Sequence, residues 1–184
     1  MELKKKLLND GEFHIYDVYV NKLNDKRKEV SYDVAKKIVL EALTPLGEEY
    51  QEMLKKAFDE RWIDVYEEEN KRSGAYSMGV YGVHPYVLTN FTNQEEDVST
   101  IAHELGHAMH SYYSNTNQNV IDANYTIMVA EVASTVNEII LGKYLIENEK
   151  DKVKKAALIN SELDRIRATL IRQAMFAEFE KNVH

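Results

Sequence analysis

The stretch Thr100-Ile101-Ala102-His103-Glu104-Leu105-Gly106-His107-Ala108-Met109-His110 decides how the rest of the chain is read. It places His-Glu-x-x-His inside a run of apolar and helix-forming residues. Residues four apart on an α-helix share a face, so His103 and His107 point the same way one turn apart. Two imidazole nitrogens so placed suit two corners of a tetrahedral zinc site, and Glu104, one step round the helix, can reach a water activated there. A third protein ligand and an open position would make the site catalytic rather than structural. The motif recurs by chance, so its context has to carry the argument.

Working outward, the third ligand has to come from another element. A metzincin needs glycine and histidine at the positions of His110 and Tyr113, which excludes that class. His110 is rotated off the ligand face and reads as a core histidine or one lying behind the ligands. Downstream, Glu131 stands in Ile127-Met128-Val129-Ala130-Glu131-Val132-Ala133-Ser134. A carboxylate in such an apolar run is costly to bury without a partner, and a metal ion is such a partner. Glu138, two turns further on, either orients a ligating histidine from behind or is a solvated or capping residue; the sequence does not choose.

Upstream, Gly74, Gly79 and Gly82 fall among Tyr76, Val80, Tyr81, Val83, Tyr86, Val87 and Leu88. Aromatic and β-branched residues punctuated by glycines predict two short strands, about 74–80 and 85–91. They form either a plain structural hairpin or an edge strand beside the metal, whose backbone at Gly74, Ala75 and Tyr76 pairs with an extended peptide. His84, before Pro85, reads as a surface turn residue. Thr92-x-x-Glu95 predicts a capping box opening the motif helix over about 94–114. A buried apolar helix is expected over about 124–147, and a last helix over about 150–183.

Nearer the start, residues 1–30 read as an extended or irregular segment lying on the core. Ser31 is a good N-cap for a helix ended by Thr44-Pro45. Pro45 then suits the first turn of a second helix, followed by a further helical turn carrying Trp62, Ile63, Val65 and Tyr66. With seven glycines and two prolines in 184 residues, the fold class is mainly α: a zincin-like helical core with a small β-hairpin or sheet, about 74–91, beside the motif helix. The length fits a single domain over residues 1–184.

A net charge of −8 argues against a nucleic-acid partner. No cysteine is present, so any metal rests on histidine, carboxylate and water, and the composition fits a cytoplasmic protein. No stretch is long and apolar enough to predict a membrane span or membrane partner.

His103-Glu104-Leu105-Gly106-His107, Glu131-Val132-Ala133-Ser134-Thr135 and Lys71-Arg72-Ser73-Gly74-Ala75-Tyr76-Ser77 together resemble the thimet-type oligopeptidases, and among them the oligoendopeptidase F group. The resemblance extends to Trp62-Ile63-Asp64-Val65-Tyr66, His84-Pro85-Tyr86-Val87-Leu88 and Arg172-Gln173-Ala174-Met175-Phe176. It implies a zinc endopeptidase of short peptides, with one zinc per chain on His103, His107 and Glu131 and with Glu104 as general base. It also implies that the chain is part of the catalytic domain of a larger protein. The family's tyrosine and histidine donors to the tetrahedral intermediate lie downstream of the matched stretch, and its channel-narrowing helices lie upstream. The remaining polypeptide, or self-association, is therefore an expected partner besides peptides. Two other readings keep a place: a zinc-binding but catalytically incomplete fragment, and a helical scaffold whose motif is accidental.

Overall fold

The computed structural model describes His14 and residues 29–184, so the segment expected over residues 1–30 lies almost wholly outside the described residues. The chain divides into two compact units, of which Lys28–Asn148 holds every residue of the expected metal site. In chain order it comprises α1 (Tyr32–Ala42), a 3-10 turn (Thr44–Leu46), α2 (Glu48–Asp59), β1 (Ile63–Tyr66), β2 (Tyr76–Met78), β3 (Tyr86–Phe91), α3 (Glu95–Asn117) and α4 (Ile127–Asn148).

Ser31 caps α1 as expected, its side chain accepting from the Val34 N–H. Pro45 sits in the 3-10 turn rather than in α2, whose N-cap is Gly47 at φ 94°. After α2 the chain turns through Arg61, which takes a left-handed φ of 57°. Residues 63–66 are then a strand, where a helical turn was expected. Their burial alternates, Ile63 and Val65 inward and Asp64 and Tyr66 outward, which is the period of two of a β-strand. A run this short is ambiguous until a neighbouring strand supplies hydrogen bonds.

That neighbour is β3, the central strand of a three-stranded sheet ordered β1-β3-β2. β1 runs parallel to β3, with Ile63 opposite Val87, and β2 runs antiparallel to it, with Ser77 opposite Val87. The hairpin expected around 74–91 is thus present, with a third strand added and β2 left at an edge. The segment leading into β2 is pinned at both ends. Lys71 Nζ donates to the Tyr66 carbonyl at 2.5 Å and lies 3.0 Å from Asp64 Oδ1, while Asn90 Nδ2 donates to the Arg72 and Gly74 carbonyls at 2.9 and 2.8 Å. His84 is not a surface turn residue. It is half-buried, its ring stacked on Trp62 with centroids 5.1 Å apart.

α3 packs against the sheet and the other helices, and Ile101, Leu105 and Met109 join Val39, Leu43, Leu54, Trp62, Phe91 and Leu141 in one core. Its capping box is formed by Gln94 and Asp97 rather than Thr92 and Glu95. Asn93 has a left-handed φ of 63°, so the helix opens after it, and Asp97 Oδ2 accepts from Gln94 N at 2.9 Å and Thr92 N at 2.8 Å. α4 is not buried all round. Ala130, Ser134, Asn137 and Leu141 face inward, but Ile127, Met128, Val132, Val136 and Ile139 are exposed.

In the second unit, α5 (Lys152–Ile166) passes through a π-helical stretch (Arg167–Ile171) into α6 (Arg172–Val183). The single last helix is therefore interrupted. Along it Val153, Leu163, Leu170 and Phe179 are exposed. Among the described residues no helix is long and apolar enough to cross a membrane.

Candidate metal centre

The centre is built where α3 and α4 cross. Gly106 is the point of contact: a Cβ added there would lie 2.6 Å from Ser134 Cα, 2.8 Å from the Ala133 carbonyl oxygen and 2.9 Å from Ser134 N. All three are backbone atoms, so the two helices approach this closely only with glycine at this position. Asn137 locks the crossing. Buried on α4, it donates from Nδ2 to the Ala102 carbonyl at 2.9 Å and accepts from the Tyr50 hydroxyl of α2 at 3.0 Å. The residue next to His103 is thereby tied to both flanking helices.

The close crossing brings three donor atoms together. His107 Nε2 lies 3.1 Å from His103 Nε2, and Glu131 Oε2 lies 3.7 Å from the first histidine of the motif and 3.8 Å from the second. The point equidistant from these atoms is about 2.1 Å from each, the length of a zinc–nitrogen or zinc–oxygen bond. Among the described residues these three form the one histidine–carboxylate group able to hold a metal ion. The donor set suits zinc, with cobalt or manganese as chemically admissible substitutes.

Glu138 sits behind His103, its Oε1 3.3 Å from Nδ1. With the Nδ1 proton directed to that carboxylate, the Nε2 lone pair faces the centre. The same hydrogen bond raises the pKa of His103, whereas burial lowers that of His107. Glu104 is buried, and its Oε2 has no hydrogen-bond partner among the described residues. Burial and the nearby Glu131 and Glu138 carboxylates push its pKa up against the pull of His103.

Glu131 differs from its expected setting. Its side chain is 46% exposed, so the apolar residues around it in sequence do not bury it. His110 lies with its ring 4.3 Å from that of Tyr125, and burial lowers its pKa. Gly74 and Ala75 line a cleft of about 280 Å³ with Asn90, Phe91 and Thr100, the last one turn before His103; Tyr76 follows as the first residue of edge strand β2. Ser134, Asn137 and Tyr50 went unrecognised in the sequence. A signal existed for two of them: Ser134 and Asn137 are polar residues three apart, and so on one face, in the mostly apolar first half of the helix.

With this geometry in place, likeness to known proteins is informative. The model of Peptidase family M3 matches residues 1–184. Oligopeptidase PepF of Bacillus subtilis is 47% identical over 182 residues, covering 99% of this chain and 27% of the relative. The chromosomal oligoendopeptidase F of Lactococcus lactis is 42% identical over 184 residues, covering 100% and 30%. The crystal structure of oligoendopeptidase-F from Enterococcus faecium superposes with a TM-score of 0.61 at 33% identity, covering 100% of this chain and 24% of that one. The chain thus spans less than a third of the length of these relatives. Since the family match runs along its whole length, the chain belongs to peptidase family M3.

Proposed function

We propose that the chain forms the metal-binding catalytic segment of a zinc endopeptidase acting on short peptides. The observation that carries this reading is the donor triangle of His103 Nε2, His107 Nε2 and Glu131 Oε2, with sides of 3.1, 3.7 and 3.8 Å. When bound there, zinc supplies a Lewis acid that acidifies water and polarises a carbonyl. His103, His107 and Glu131 hold the ion, and Glu138 keeps the His103 Nε2 lone pair directed at it. Glu104 takes a proton from the attacking water on its carboxylate and gives it to the nitrogen of the scissile amide as that bond breaks. The edge of β2 that pairs with no described strand, entered through Gly74, Ala75 and Tyr76, offers backbone N–H and C=O groups to an extended substrate.

A second reading, metal binding without turnover, is favoured by the short span relative to the relatives. Stabilising the developing oxyanion needs positioned donors, each typically worth about 3 kcal/mol when removed. If those donors belong to the rest of the polypeptide, this chain alone binds zinc and cleaves nothing. The test is cleavage of a quenched fluorescent peptide library with zinc content measured on the same sample. One zinc per chain, with cleavage falling about 10²–10⁴-fold in Glu104→Gln while zinc is retained, supports the peptidase reading. Unchanged cleavage in Glu104→Gln removes Glu104 from its role. One zinc per chain without cleavage establishes the second reading. Zinc content unaltered by Glu131→Ala counts against the third ligand.

A further inference from the structure

α4 carries more than a ligand. Three residues after Glu131, and so on the same side of the helix, stands Ser134, whose side chain is fully buried. Its hydroxyl donates to Glu131 Oε2 at 2.8 Å. That oxygen is the one facing both histidine nitrogens. The competing acceptor for the Ser134 proton is the Glu131 backbone carbonyl, at 3.1 Å. That carbonyl also accepts from the Thr135 hydroxyl, and of the two Ser134 contacts the one to the carboxylate is the shorter.

The consequence lies in how Glu131 is held. Its carboxylate is nearly half exposed and carried by a side chain with three rotatable bonds, so neighbouring packing alone does not choose its rotamer. A hydrogen bond from a buried hydroxyl does. A carboxylate oxygen has two lone pairs; one accepts from Ser134, and the other remains for an ion between the histidines. Ser134 is itself fixed, because its Cα lies where Gly106 lets α3 press against α4. We infer that Ser134 is a positioning residue: it presets Glu131 Oε2 toward His103 and His107, so that the third donor is in place before an ion arrives. The inference rests on the donor triangle being a metal site.

The experiment is a double-mutant cycle on metal affinity. Zn²⁺ binding is measured by competition with a chromophoric chelator for the wild-type chain, Ser134→Ala, Glu131→Ala and the double variant. Ser134→Ala keeps the Cβ and the helix contact, and thermal unfolding of each metal-free variant monitors the fold. The expected result is a 10–100-fold loss of Zn²⁺ affinity in Ser134→Ala with the metal-free melting temperature little changed. No further loss is expected when Ser134→Ala is added to Glu131→Ala, since the hydroxyl acts through that carboxylate. The absorption bands of the Co²⁺-loaded protein should also change in Ser134→Ala, as they report the geometry of the donors. Unchanged affinity in Ser134→Ala, or an equal loss with and without Glu131, overturns the inference while leaving the metal site intact. A wild-type chain that binds no Zn²⁺, or a Glu131→Ala variant that binds it as tightly, overturns the site itself and the inference with it.

Discussion

Along α4, Ala130, Ser134, Asn137 and Leu141 are buried against the rest of their unit, while Met128, Val132, Val136 and Ile139, half a turn away, stand exposed. The exposed face is the more apolar of the two. The buried face carries the serine and asparagine, and Glu131 and Glu138 flank it. Hydrophobicity alone would have assigned the faces the other way round. The inner face is held by a close backbone approach at Gly106 and by directed hydrogen bonds to Glu131, Ala102 and Tyr50. On this helix, fixed geometry comes from Leu141 in the core together with the polar groups that have partners, and the outer apolar side chains meet little among the described residues.

The sharpest way to break that comparison is at the crossing. In an exposed helix interior, Gly→Ala gains up to about 1 kcal/mol from propensity. At Gly106 the new Cβ meets backbone on α4 at under 3.0 Å, and backbone cannot rotate away. Gly106→Ala is expected to cost a net of about 1–3 kcal/mol in urea unfolding and to weaken Zn²⁺ binding, as the two helices that carry the donors are pushed apart. A stabilised Gly106→Ala would mean that the crossing is not tight.

Next comes Asn137→Ala, which removes the link between Ala102 and Tyr50 and leaves the Ala102 carbonyl and the Tyr50 hydroxyl without that partner. A loss of about 1–3 kcal/mol is expected. Tyr50→Phe, which removes one hydrogen bond without stranding the Asn137 amide donor, is expected to cost less, about 1 kcal/mol. Equal losses would mean that the Ala102 contact contributes little.

Glu131 shows how much of this is legible in the sequence. His103, Glu104 and His107 were readable because their spacing is fixed by helix geometry alone. Glu131 was read from the cost of burying a carboxylate among Ile127, Met128, Val129 and Val132, yet those residues are largely exposed and the carboxylate is only half-buried. The donor triangle includes it, but that argument does not explain why. Its position follows from the helix crossing, which depends on Gly106 in one helix meeting Ser134 in another, and no local pattern specifies such a meeting. The same limit applies to residues 63–66, whose strand character depends on pairing with Val87 and Leu88 more than twenty positions later. Local propensity located the elements; partners distant in sequence decided their faces and edges.

The alkaline limb of stability sharpens the comparison further. Burial raises the Tyr50 and Tyr32 hydroxyls to about 12, against 10.0 for a free tyrosine. Folding therefore favours the protonated forms. Their contribution is complete below pH 10, and it is lost as the pH rises from about 10 to about 12. The urea midpoint is expected to hold steady from pH 7 to pH 9 and to fall between pH 10 and 12, more gently in Tyr50→Phe. A midpoint as steep in that variant would remove Tyr50 as a source of the decline.

The smallest effect is expected on the outer face of α4. Met128, Val136 and Ile139 share the outer face and keep 77%, 40% and 53% of their surface exposed, so lysine at these positions displaces little that is packed. Each single change to lysine should alter the unfolding free energy of this chain by no more than about 0.5 kcal/mol, and Zn²⁺ affinity should be unchanged. The lysine stem can lie along the apolar stripe while its ammonium stays in water, so even the triple variant avoids a buried charge. A loss well above 1 kcal/mol from any one of these changes would mean that the outer face is covered in solution. The two faces of α4 would then both be packed, and the inner one would differ only in being held by hydrogen bonds.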